Sequence, residues 1–298
     1  MEIWVLVTIV AAAVQTLRFT LQKRLKGLGL STGGATFSRF LFAAPLASLG
    51  VAVLILLRGY AVPGLTPAFW GFAVAGGVGQ IVATFCTVAL FSERSFAVGI
   101  AFTKSETVQV AGFSALFLHE AVSGTGLIAI LIGLVGVIML SRPPGGWGQG
   151  GVFNRAMGLG LLAGGFFGVS AIGYRGATLE IASTDPLFRA ILALACVTAF
   201  QTLAMVFWLR WREPGEVSKV LSAWRATLPV GITGVLGSLG WFTAFALQNA
   251  AYVRSVGQVE LIFSILVSTL VFRERPTLRE VAGMGLLAAS IVMIVALA

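Results

Sequence analysis

The stretch Val256–Glu274, VGQVELIFSILVSTLVFRE, decides how the chain is read. It is apolar and long enough to enter a bilayer, yet Glu260 sits inside it, fourteen residues before Glu274. At about 1.5 Å per residue a helix sets these two roughly 21 Å apart, within a hydrocarbon core about 30 Å thick. An ionised side chain at that depth costs about 2.5–3.5 kcal/mol, so it must face protein or water and be paired or neutral. Glu106 and Glu120 repeat the spacing. Sliding the halves by 154 residues brings Glu106 onto Glu260 and Glu120 onto Glu274, with Phe91 onto Phe245, Ala97 onto Ala251, Ser114 onto Ser268 and Leu116 onto Leu270. With only 11 acidic residues in the chain, two acidic pairs in one register argue for an internal duplication.

The rest of the 298 residues fits a membrane protein: 58% are hydrophobic and 10% charged, and the mean hydropathy is +0.98, far from a soluble domain. Apolar runs bounded by charges, Gly and Pro predict ten spans, at about 3–22, 33–57, 68–91, 96–118, 123–141, 156–175, 186–209, 227–248, 253–272 and 278–297. Lipid-exposed backbone must satisfy its own hydrogen bonds, so these are helices and the fold class is an all-α membrane protein. The longest break, RPPGGWGQGG at 142–151, falls almost halfway. Residues 1–141 then form a first five-helix repeat, 142–153 a linker and 154–298 a second repeat. Five is odd, so the copies insert with opposite orientation, as two inverted repeats. The N-terminal run lacks the basic start and cleavage pattern of a signal peptide and is expected to be the first retained span.

Several function classes are excluded by composition and spacing. The net charge of +9 comes from Lys and Arg scattered at span ends, not a patch, so no nucleic-acid partner is expected. His119 is the single histidine, and Cys86 and Cys196 lie inside spans, so no metal site, His-based triad or cofactor is expected. GLGLLAGGFFG (Gly160, Gly164, Gly168) and GITGVLGSLG (Gly231, Gly234, Gly237, Gly240) lie within spans and read as close-packing helix faces, not as dinucleotide loops. EPGEVSKVLSAWRA, with Val217, Val220, Leu221 and Trp224 on one face, reads as a short helix on the membrane surface.

The ten-span plan, its division into five-helix halves, and a fourth helix ending in Glu before a Gly-containing fifth (FLHEAVSGTGLIAILIGLVGVIML and VFRERPTLREVAGMGLLAASIVMI) resemble the drug/metabolite transporter superfamily, in its EamA-like ten-helix branch. The resemblance covers essentially the whole chain. It implies export or exchange of small solutes, with both termini cytoplasmic. The positive-inside rule applied to the predicted loops points the other way. Many relatives carry a Pro in the middle of the fourth helix of each half, where this chain has Glu106 and Glu260.

Polar residues inside spans are the candidates for a site. Gln15, Arg18 and Gln22 share one face of the first span; Gln80, Thr84 and Thr87 of the third; Ser170 and Tyr174 of the sixth; Ser238, Trp241, Phe245 and Gln248 of the eighth. Glu260, Glu106, Arg18, Gln15, Tyr174, Trp241 and Gln80 are expected to bind solute in a central cavity, with Glu260 and Glu106 also the candidates for proton coupling. The competing reading makes each Glu a clasp with Arg39, Arg189, Arg18 or Lys104, and each Ser or Thr an interhelical hydrogen bond. Arg39 and Arg189 are expected to be structural counter-charges. The function expected is secondary transport, as an exporter, of an amine, organic cation or amino-acid-like solute across a bacterial-type inner membrane. Alternatives are an uncoupled facilitator or exchanger, a non-transporting assembly subunit, or an embedded enzyme using the Glu pair as acid and base. No nucleophile accompanies that pair, so the chain is not expected to be an enzyme.

Overall fold

A computed structural model describes residues 2–93, 103, 106–120, 122–141, 155–272 and 277–297. Glu274, Lys104 and the linker at 142–153 lie outside these residues. Among the described residues every regular element is a helix. The order is α1 (Ile3–Gly27), α2 (Thr32–Leu41), α3 (Ala43–Arg58), α4 (Pro67–Glu93), α5 (Glu106–Phe117), α6 (Gly124–Ser141), α7 (Arg155–Leu179), α8 (Pro186–Arg212), α9 (Glu216–Ser222), α10 (Trp224–Leu247), α11 (Ala250–Val256), α12 (Val259–Phe272) and α13 (Leu278–Leu297).

Five described segments are long and apolar enough to cross a membrane: α1, α2 with α3, the Pro67–Phe91 part of α4, α8 and α10. Polarity is distributed as lipid requires. Leu6, Val10, Leu17, Val53, Leu56, Val78, Leu203 and Phe207 are exposed, while Gln15, Arg18, Gln22, Arg39, Gln80, Gln201, Arg254 and Glu260 are buried. A soluble protein places these classes the other way round.

Glycines set the tightest helix contacts. A Cβ added to Gly173 on α7 would lie 2.5 Å from Gly76 Cα on α4, and one on Gly240 of α10 would lie 2.8 Å from the Ala11 Cβ of α1. Gly231, Gly234 and Gly237 continue that face of α10 against Phe42, Arg39 and Val14, as their spacing predicts. The main packing partners are α4 with α7, α6 with α13, α1 with α10 and α3 with α8, followed by α5 with α7 and α8 with α10; α1 also packs on α12.

Polar ties join the two halves of the chain at both ends of the bundle. At one end Ser31 donates its backbone N–H to Glu216 at 2.6 Å and its hydroxyl to Glu213. At the other, Tyr60 donates to Asp185 at 2.7 Å, Thr66 to Glu180 at 2.7 Å, and Arg175 to Glu120 at 2.6 Å. The Tyr60 hydroxyl, with the α8 N-terminal N–H groups of Leu187 and Phe188, holds the Asp185 carboxyl below its usual range. Burial would push the Glu216 carboxyl up, but the Ser31 N–H and Lys219 outweigh it and hold it low.

Two expectations need local correction. The ninth predicted span is not one continuous helix: α11 ends at Val256, α12 starts at Val259, and hydrogen bonds from Gln258 N to Ser255 O and from Glu260 N to Gly257 O carry the chain across. Gly257 lets Trp241 pack against this break, because a Cβ there would lie 2.4 Å from the Trp241 ring. The expected surface helix is seven residues, α9, with Val220 buried and Leu221 exposed, while half-exposed Trp224 begins α10 instead.

Candidate solute-binding site

The break between α11 and α12 positions the site. Glu260 falls in the first turn of α12, and Glu106 opens α5. Both carboxylates thus stand at helix N-termini, where the free N–H groups and the helix dipole favour an anion, and not in mid-helix as the hydropathy pattern suggests.

A single chain of contacts connects them. Glu106 accepts from Arg254, both side chains buried. The Arg254 guanidinium lies over the Trp241 ring, 4.5 Å from its centroid. Trp241 Nε1 donates to Gln15 Oε1 at 3.0 Å, and Gln15 Nε2 donates to Glu260 Oε2 at 3.1 Å. Beside it, Gln258 Nε2 donates to Thr107 Oγ1 at 2.8 Å, tying the starts of α12 and α5 together.

A second network lies against the first. Arg39 Nη1 donates to Thr84 Oγ1 at 3.1 Å and its Nη2 to Ser238 Oγ at 3.0 Å. Gln80 donates to Thr84 and accepts from Ser170, each at 3.1 Å. Tyr174 accepts from Gln201 at 3.1 Å and stacks on Phe242 at 4.1 Å.

The two networks enclose a cavity. Gln15, Arg39 and Gln80 reach it from the first half of the chain; Ser170, Tyr174, Ser238, Trp241 and Arg254 reach it from the second; Phe167, Phe242 and Phe245 complete the wall. About 20 Å³ between these side chains can take the centre of a water molecule. That is room for about one water, so the cavity is narrow in this conformation.

Of the residues expected to bind solute, Gln15, Gln80, Tyr174 and Trp241 line this cavity. Glu106 and Glu260 stand one residue behind it, through Arg254 and Gln15. Arg18 also stands behind: its Nη1 donates to Gln22 at 2.5 Å, and its guanidinium lies 4.0 Å from the Phe19 centroid. Neither expected counter-charge makes a salt bridge among the described residues. Arg39 lines the cavity on hydroxyl partners, and Arg189 donates to the Ala246 carbonyl at 3.0 Å. The salt bridges among the described residues are instead Arg254–Glu106, Arg175–Glu120 and Lys219–Glu216. Arg254 is the participant that sequence reading missed, since Gln248 and Asn249 just before it mimic a span boundary. Among the described residues no group of His, Cys, Asp and Glu could hold a metal ion.

Comparison with known proteins follows the same lines. The fold matches that of a crystal structure of a protein at 17% identity, over 97% of this chain and 99% of the other, with a TM-score of 0.63. No curated protein matches the sequence. The model of the EamA-like transporter family matches residues 154–296. The match runs from the start of α7 into α13, so the second half of the chain is similar to the EamA-like transporter family.

Proposed function

We propose that the chain is a secondary transporter that passes a small organic solute through the central cavity by alternating access. The observation that carries this reading is the cavity itself: a small chamber lined by polar and aromatic side chains inside an apolar bundle, with walls drawn from both halves of the chain. Polar groups facing one another inside a membrane protein mark a path or a site.

The architecture in this proposal is ten crossings arranged as two inverted five-helix repeats, 1–141 and 154–298 with a linker at 142–153. The packing pattern supports it. Exchanging the halves turns the α4–α7 contact into the α10–α1 contact and the α5–α7 contact into the α12–α1 contact, while α3–α8 and α6–α13 map onto themselves. The two acidic residues also occupy equivalent helix starts. Export across a bacterial-type inner membrane is the direction and place we assign, and Glu260 and Glu106 are the proposed proton-coupling groups. Glu260 is the first to test, because Gln15 links it directly to Trp241 in the cavity wall.

The test is flux in proteoliposomes holding only the purified chain, with an imposed proton gradient and a panel of small organic solutes. Saturable uptake or counterflow of one of them, lost in Gln15→Ala and Trp241→Ala, is the expected result. Absence of flux for the whole panel, with the protein folded, refutes transport and favours an assembly role.

A further inference from the structure

The charges around the cavity do not balance among the described residues. Arg18, Arg39 and Arg254 are buried there against two carboxylates, Glu106 and Glu260. Arg254 is matched by Glu106, and Glu260 lies within electrostatic reach of Arg18. Arg39 is the remainder. It faces the cavity, and the hydrogen bonds of its two terminal nitrogens go to neutral hydroxyls, those of Thr84 and Ser238. A guanidinium keeps its charge under all ordinary conditions, and a buried charge without a counter-ion is costly.

Arg18 deepens the imbalance. Its side chain and that of Arg39 flank the same glycine, with Arg39 Cγ and Arg18 Cδ 3.1 and 3.8 Å from where a Cβ on Gly234 would sit. Arg18 Nη2 is buried with no hydrogen-bond partner among the described residues. Two like charges held this close raise the positive potential of the chamber. Phe167, Phe242 and Phe245 give the same wall an aromatic, uncharged part.

We propose that the transported solute is a small organic monoanion, and that Arg39 receives its carboxylate or other anionic group while the apolar body lies against these phenylalanines. This rests on the transport reading above and sharpens it by naming the solute class. In it the two carboxylates also serve as counter-charges for Arg254 and Arg18, and the solute supplies the missing one for Arg39. An organic cation, the class suggested by the carboxylates in the sequence, would meet an arginine-lined chamber.

Thermal unfolding of the detergent-purified full chain tests this, with benzoate and benzenesulfonate as anionic probes and benzamide and benzylamine as neutral and cationic controls of similar size, all at one ionic strength. At least one anion should raise the unfolding temperature, and neither control should. Arg39→Gln keeps a hydrogen-bonding side chain but removes the charge, and should weaken anion affinity at least about tenfold. Arg39→Lys keeps the charge without the planar fork, and should bind more weakly while still preferring anions; it carries the test if Arg39→Gln does not fold. A shift with benzylamine alone, no shift with either anion, or undiminished anion binding in both variants overturns the proposal. Flux separates the two readings. Transport of a cation without anion binding sinks this inference and leaves transport standing, while anion binding at Arg39 without flux of any solute refutes transport and leaves only an anion-binding site.

Discussion

Replacing Gly173 by Ala should open the α4–α7 interface. The new Cβ would lie 2.5 Å from Gly76 Cα, 2.6 Å from Gly76 N and 2.6 Å from Phe72 O, all backbone atoms that no side-chain rotation can move. Ordinary carbon contacts are about 3.5–4.0 Å, so the two helices must separate by roughly 1 Å. Overpacking of this kind costs about 1–3 kcal/mol. Ala also gains up to about 1 kcal/mol over Gly in helix propensity, which hides part of the cost. The appropriate reference is therefore Gly71→Ala, on α4 itself, where a Cβ meets nothing within 4 Å. The propensity gain is common to both variants, so their difference isolates the packing. Reversible unfolding in detergent should place Gly173→Ala about 1–3 kcal/mol below Gly71→Ala. Equal stability would refute the reasoning, because it would mean that this interface yields without cost.

Three further outcomes are expected. Glu106→Gln leaves Arg254 buried without its carboxylate and should cost about 3–5 kcal/mol, while adding Arg254→Met should recover part of that loss; strictly additive thermal destabilisation would argue against a direct pair. In a background lacking Cys86 and Cys196, Leu28→Cys and Ala182→Cys should label from opposite sides of the membrane, and labelling from one side would end the inverted-repeat reading. Asp185→Asn keeps a capping side chain but not the charge. The folded Asp185 carboxyl is held low, so its contribution is present above the unfolded value of about 3.9 and disappears as pH falls through the folded one. The stability gap between wild type and variant should therefore be visible at pH 7 and close in strong acid; a gap that persists there contradicts the assignment.

The membrane-helix class and much of the site were legible because a polar residue in an apolar run has few explanations. Gln15, Gln80, Tyr174 and Trp241 stood out this way, and all reach one cavity. What hydropathy could not reveal was the interruption at Gly257 and Gln258, since a turn within an apolar stretch leaves the average unchanged. Nor could it reveal which guanidinium meets which carboxylate. Glu106 and Arg254 are 148 residues apart, and their meeting depends on how α5 and α11 pack. Arg39 was expected as a counter-charge, and its terminal nitrogens bond to hydroxyls. Thr84 and Ser238, its actual acceptors, are too common in membrane helices to signal an arginine.

The ties at the two ends of the bundle have a consequence for directionality. If the halves exchange roles as the transporter alternates, the two end states are built from the same contacts and would be nearly equal in energy. Degeneracy is then lifted by whatever the copies do not share. Ser31 held by Glu213 and Glu216 closes one end; Tyr60–Asp185, Thr66–Glu180 and Arg175–Glu120 close the other. Every 1.4 kcal/mol by which one set outweighs the other shifts the resting population about tenfold. Under alternating access, these few polar ties would bias the side on which the unloaded protein waits, and editing those away from the chamber, such as Ser31–Glu216 and Thr66–Glu180, would shift that bias.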